Sequence, residues 1–204
     1  MTSFALMDEF FIYLRVGFSH IADIASYDHI LFIAALAIPY APRDWRRLVL
    51  LATAFTVGHS LTLVLATLQL VSVPSAVVET LIPCTIIMTA ALALFEQRRA
   101  DMHEQTTTPT MRYALVVGFG LIHGLGFSTY LRALLGTEES LVLPLCAFNI
   151  GLEIGQLVIL SIVLAIGAVI VRLGLSRRRW MLLLATTTAT IALMLLVQRL
   201  QGAA

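Results

Sequence analysis

Four ionisable residues lie inside stretches otherwise too apolar to hold them: His59, Glu79, His123 and Glu153. In lipid each is costly unless it faces the interior of a helix bundle and finds a partner there. A second group gathers near the start, in Gly17-Phe-Ser-His-Ile-Ala-Asp-Ile-Ala-Ser-Tyr-Asp-His29, where His20, Asp23, Asp28 and His29 offer two imidazoles and two carboxylates. That mixture of nitrogen and oxygen donors suits a borderline divalent metal such as Zn, Ni or Co. In the simpler arrangement Asp28 would cap a helix, stabilised by its dipole, and the two histidines would only line an interface.

The central histidines sit in similar surroundings. Phe55-Thr-Val-Gly-His59-Ser-Leu and Phe119-Gly-Leu-Ile-His123-Gly-Leu share the pattern F-x3-H-[S/G]-L, and each is followed by a turn and a helix carrying a glutamate, Glu79 or Glu153. A weak parallel internal repeat would produce this, with sites at the repeat interface. His59 falls about 12 residues into its predicted helix, hence roughly 18 Å from its start, and His123 lies at nearly the same depth. Asn149, Glu153 and Gln156 recur at i, i+4 and i+7 and so share one helix face. Gly151 and Gly155, and the glycines flanking His123, allow close helix approach, which would bring His123 and Glu153 within reach of one ion. Ser60, beside His59, could act as a nucleophile only with an imidazole from another helix, because neighbouring helical residues point about 100° apart. Cys84 and Cys146 read as small core residues.

The elements that must hold these groups are transmembrane helices. Of 204 residues, 59% are hydrophobic and 12% charged, and the mean hydropathy is +0.94, far from a soluble composition. At about 20 residues per crossing the chain supplies at most about seven spans, so residues 1–204 are read as a single integral membrane domain, an all-α polytopic bundle of six to seven helices. Five spans are plain, within 48–78, 75–95, 113–131, 140–171 and 180–198. The first third predicts a helix of roughly 15 to 18 residues, a polar stretch from Ser19 to Asp28, and a shorter helix stopped by Pro39 and Pro42. A net charge of +1 argues against nucleic acid as a partner. All 13 basic residues are arginine, which excludes a lysine Schiff base or lysine general base. The opening residues, with Asp8 and Glu9 and no basic cluster, are not expected to form a cleaved signal.

Ten arginines fall in the linkers 41–47, 97–112 and 172–179. By the positive-inside rule these linkers are cytoplasmic, placing the Ser19 to Asp28 stretch, the Pro74 turn and the acidic turn at 136–140 on the outer side. One polar cavity opening outward is then expected at the converging histidines and acids.

Together the motifs resemble a known family. G-F-x-H-I at Gly17, Asp28-His29-Ile-Leu-Phe, F-T-x-x-H-S-L-T-L at Phe55, V-E-x-x-I at Val78, F-G-L-I-H-G-L-G-F at Phe119 and F-N-x-G-x-E-x-G-Q at Phe148 look, in this order, like the HupE/UreJ family of hydrogenase and urease accessory membrane proteins. The resemblance implies a multi-pass protein of the bacterial inner membrane concerned with nickel or cobalt uptake. Its histidine and acid motifs fall on His20, Asp28, His29, His59, Glu79, His123 and Glu153. One departure is that the family pattern reads H-x5-D-H, whereas seven residues separate His20 from Asp28 here. Supporting polar positions are Asp23, Ser60, Asn149 and Gln156.

Two functions use these residues. In the first, the protein is a permease for Ni or Co, passing the ion from Asp28 and His29 to His59, His123 and Glu153. In the alternative, a metal held by three such ligands activates water as an intramembrane hydrolase or transferase on a lipid-linked substrate. A third reading makes the polar residues mere helix-to-helix glue. Expected partners are the metal ion and membrane lipid, with room for a second copy of the chain or a metalloenzyme maturation protein.

Overall fold

A computed structural model describes residues 3–24, 27–102, 108–135 and 140–202. The predicted acidic turn at 136–139 and part of the polar loop before Pro109 lie outside the described residues. Seven α-helices follow in order: α1 (Ser3–Ala22), α2 (Asp28–Ala37), α3 (Trp45–Thr67), α4 (Ser75–Asp101), α5 (Pro109–Leu135), α6 (Val142–Arg172) and α7 (Arg177–Gly202). Among the described residues all regular structure is helical, as expected of a chain that must satisfy its backbone hydrogen bonds within the membrane. Helices α3 to α7 are long and apolar enough to cross a membrane. Helix α1 runs to 20 residues, longer than predicted, but its apolar run is broken by Asp8, Glu9 and Arg15; α2 has only 10.

The tightest packing pairs are α3 with α5, α1 with α6 and α4 with α7. Glycine sets the first two. A Cβ on Gly58 would overlap the Val117 carbonyl, one on Gly120 the Phe55 carbonyl, and one on Gly124 the His59 carbonyl. Helices α3 and α5 therefore touch backbone to backbone and run parallel, in the register that relates the two F-x3-H motifs. The two F-x3-H helices thus lie side by side, with His59 and His123 each the fifteenth residue of its helix, about 21 Å from the arginine-rich end.

Gly151 and Gly155 meet α1, the former at Leu14 and Phe18 and the latter at Phe18 and Ile21. Because these numbers rise together, α1 runs parallel to α6. Helix α3 runs antiparallel to α6, since Ser60 meets Asn149 while Thr56 meets Gln156. It also runs antiparallel to α2, since the His29 ring neighbours His59 while Phe32 stacks near Phe55. Consequently α1 and α2 head the same way. The sequence reads Ser19 to Asp28 as a polar stretch on the outer side; in the structure α1 ends and α2 begins within it, and the two helices keep one direction. Turns and breaks draw on the same polar residues, and only tertiary packing tells them apart.

The core is built from large apolar side chains, with Phe32, Phe55, Phe148, Leu63, Ile86 and Leu152 almost wholly enclosed. Leu182, Leu183, Leu193 and Met194 of α7 remain exposed, as they must on a lipid-facing surface.

Candidate metal centre

Four histidines converge where α1 ends and α2 begins. His20 occupies the last turn of α1, His29 is the second residue of α2, and His59 and His123 project from the touching pair α3 and α5. Ring centroids lie 4.6 Å apart for His20 and His29, 5.1 Å for His29 and His123, 5.7 Å for His20 and His59, and 6.0 Å for His29 and His59. Two imidazoles bound through nitrogen at about 2.1 Å to one tetrahedral ion would have centroids about 5 Å apart. The observed spacing is of that order. As the rings stand, no three His, Cys, Asp or Glu side chains among the described residues form a ready-made metal-holding group, so closing on an ion requires the rings to turn.

The surroundings of these rings are largely aromatic. The Phe32 ring lies tilted to His123 at 5.1 Å and Phe55 meets it edge-on at 5.2 Å, while Phe127 lies 3.8 Å from His20 and stacks on Phe148. Inside this aromatic box five ring nitrogens are buried without a hydrogen-bond partner: His20 Nε2, His29 Nε2, both nitrogens of His59, and His123 Nδ1. A buried polar atom left unpaired costs about 1–3 kcal/mol. Buried polar groups are nearly always satisfied, so five orphans in one place single the cluster out as a candidate site. The donor set, imidazoles flanked by a carboxylate, is chemically what a borderline divalent metal takes.

Two nitrogens in the cluster do have partners. Asp28 Oδ1 accepts from His29 Nδ1 at 2.9 Å and from the His29 backbone N–H at 2.8 Å. His123 Nε2 lies 2.9 Å from Thr85 Oγ1. His20, which stands two residues further from Asp28 than the family pattern has it, is nevertheless in the cluster.

The other sequence-predicted residues lie around it. Glu79 pairs with Arg199 at 2.7 Å at a cavity of about 100 Å³ that it shares with Tyr27, Asp28, Ile82, Pro83 and Leu195. Glu153 accepts a hydrogen bond from Thr53 at 2.6 Å. Asn149 Oδ1 lies 2.5 Å from Ser60 Oγ, and Gln156 accepts from Thr56 at 3.2 Å. The predicted polar face of α6 is therefore a ladder against α3. Its glycines bring it to α1 rather than to His123. Ser60 faces this ladder and the Thr56 carbonyl. Asp23 is exposed, as is Cys146, while Cys84 is half-buried.

Three features escape a reading of the sequence. Thr85 looks like any threonine in an apolar helix. Arg199 looks like a terminal charge. Glu96, buried on α4, pairs with Arg112 of α5, which also donates to the Tyr40 hydroxyl at 2.9 Å. Glu96 sits at the margin of its apolar run, where a charge passes for a loop residue.

No curated protein and no solved structure matches the chain. A family model described as HupE / UreJ protein matches residues 1–199, nearly the whole chain and every residue of the histidine cluster. The ordered motifs, the helical membrane fold and this match agree, and the chain belongs to the HupE / UreJ family, whose membership carries a metal-related role in the membrane.

Proposed function

We propose that this protein is a permease for a divalent transition metal, nickel or cobalt, and that His20, His29, His59 and His123 bind the ion in transit. The observation that carries this reading is the set of five buried, unpaired imidazole nitrogens at one level of the bundle. Imidazole is a good ligand for both metals. Discontinuous helices are a recurrent way of building a transport site inside a membrane. Asp28 and Glu79 face one cavity and serve as the entry carboxylates, with Asp28 also orienting His29. Asn149, Glu153 and Gln156 hold α6 on α3, fixing the height of His59. The arginine-rich linkers face the cytoplasm of a bacterial inner membrane, by the positive-inside rule.

The test is uptake of labelled Ni²⁺ and Co²⁺ into proteoliposomes, beside equilibrium binding to the purified protein. Wild type is expected to show saturable uptake. Losing an outer-shell partner of a metal site costs about 10- to 100-fold in affinity, and removing two ligands in a His59→Ala plus His123→Ala variant costs more, abolishing uptake while the helical fold persists. Absence of saturable uptake by wild type, or full uptake by the double variant, overturns the reading.

A further inference from the structure

Thr85 stands on α4, a helix that touches the cluster but lends it no imidazole. Its side chain is 2% exposed. Its Oγ1 lies 2.7 Å from the Ile82 carbonyl oxygen and 2.9 Å from His123 Nε2. A hydroxyl has one proton to give. The carbonyl can only accept, so the proton points there; turned toward Nε2, it would leave two acceptor oxygens 2.7 Å apart with nothing between them. Oγ1 must then accept from His123, which places the ring hydrogen on Nε2. A neutral imidazole carries only one ring N–H. His123 Nδ1 is therefore a bare lone pair, and it is one of the buried nitrogens without a partner.

His29 shows the same logic with the nitrogens exchanged. Asp28 takes the hydrogen of Nδ1, and Nε2 is buried and unpartnered. The two rings are 5.1 Å apart, each with one nitrogen tied outward and the other left free. Metal-ligating histidines are commonly fixed this way by a carboxylate, carbonyl or water on the second nitrogen; here a back-bonded threonine takes that place for His123.

We infer that Thr85 is a positioning residue that holds His123 as its Nε2–H tautomer and thereby makes Nδ1 the nitrogen presented to a divalent transition metal. The tautomer follows from hydrogen bonding alone; its use for a metal rests on the permease reading above.

Nitrogen-15 NMR of histidine-labelled protein reads the tautomer without any metal, and titration with Ni²⁺ reads the affinity. Wild type is expected to show His123 protonated at Nε2. Thr85→Val removes the acceptor at similar size, so the ring is expected to populate both tautomers and Ni²⁺ affinity to fall about 10- to 100-fold. Thr85→Ser restores the hydroxyl and is expected to recover both signals. Wild-type His123 protonated at Nδ1, or a Thr85→Val protein with unchanged tautomer and affinity, overturns the inference. A tautomer that shifts in Thr85→Val and returns in Thr85→Ser, in a protein that never binds Ni²⁺ or Co²⁺, supports the hydrogen-bond lock and overturns the metal reading.

Discussion

Arg112 and His123 stand on the same helix, about 16 Å apart along α5, and the structure buries them in opposite ways. The guanidinium of Arg112 meets Glu96 from α4, donates to the Tyr40 hydroxyl at 2.9 Å and lies 5.3 Å from the Tyr40 ring. Nearby, Arg177 donates to the Pro39 carbonyl at 2.8 Å. At the arginine-rich end, then, charge taken from water meets opposite charge within the chain, with one Glu96 oxygen left without a hydrogen bond. At the histidine cluster there is no such match: five ring nitrogens are enclosed by phenylalanines with no protein partner. Burial alone does not distinguish a structural polar group from a binding one. What distinguishes them is whether the protein supplies the partner itself.

Variants can break that contrast. Arg112→Ala should have the largest effect on stability, about 3 kcal/mol, because it strands Glu96 in the interior; thermal unfolding in detergent would show the loss, while Ni²⁺ affinity of the folded fraction stays at the wild-type value. Gly124→Ala should cost about 2 kcal/mol by forcing a methyl group into the His59 carbonyl and prising α3 from α5, and it should weaken metal binding as well, because both central histidines shift. Chemical denaturation read alongside metal titration would separate the two losses. Arg199→Ala should change least. Its side chain and that of Glu79 are 52% and 44% exposed, so the pair contributes under about 1 kcal/mol. The variant should unfold like wild type, and uptake at low metal concentration should rise once Glu79 is free to receive a cation. A drop in uptake would show that the pair shapes the entrance rather than competing for it.

Much of this was legible in the residues, for a physical reason. A histidine in a run such as Val57 to Leu70 is too costly to be casual, so His59 and His123 declared themselves, and the F-x3-H repeat placed them level. The paired motifs became two helices in register because glycine recurs where α3 and α5 touch. Partner choice was less accessible. Glu153 and Glu79 were as conspicuous as the histidines, yet one bonds Thr53 and the other Arg199, contacts set by which helices adjoin and at what height. Thr85 gave no signal, since a threonine can satisfy itself on its own helix. The direction of α1 was hidden too, because a polar stretch between apolar segments fits either a reversal or a break.

The glycine seats between α3 and α5 bear on how an ion could leave. Side chains swing and helices padded by them slide, but a glycine resting on a carbonyl has no slack. His59 and His123 are thus mounted on one stiff post. His20 ends a helix seated the same way on α6, where Gly17 and Gly151 meet the Phe148 and Leu14 carbonyls, whereas His29 starts the short α2, which has no glycine and packs on α4, α6 and α7. In the permease reading, a change in how many rings surround the ion falls on rotation of the imidazoles themselves and on His29, whose short helix has no such seat.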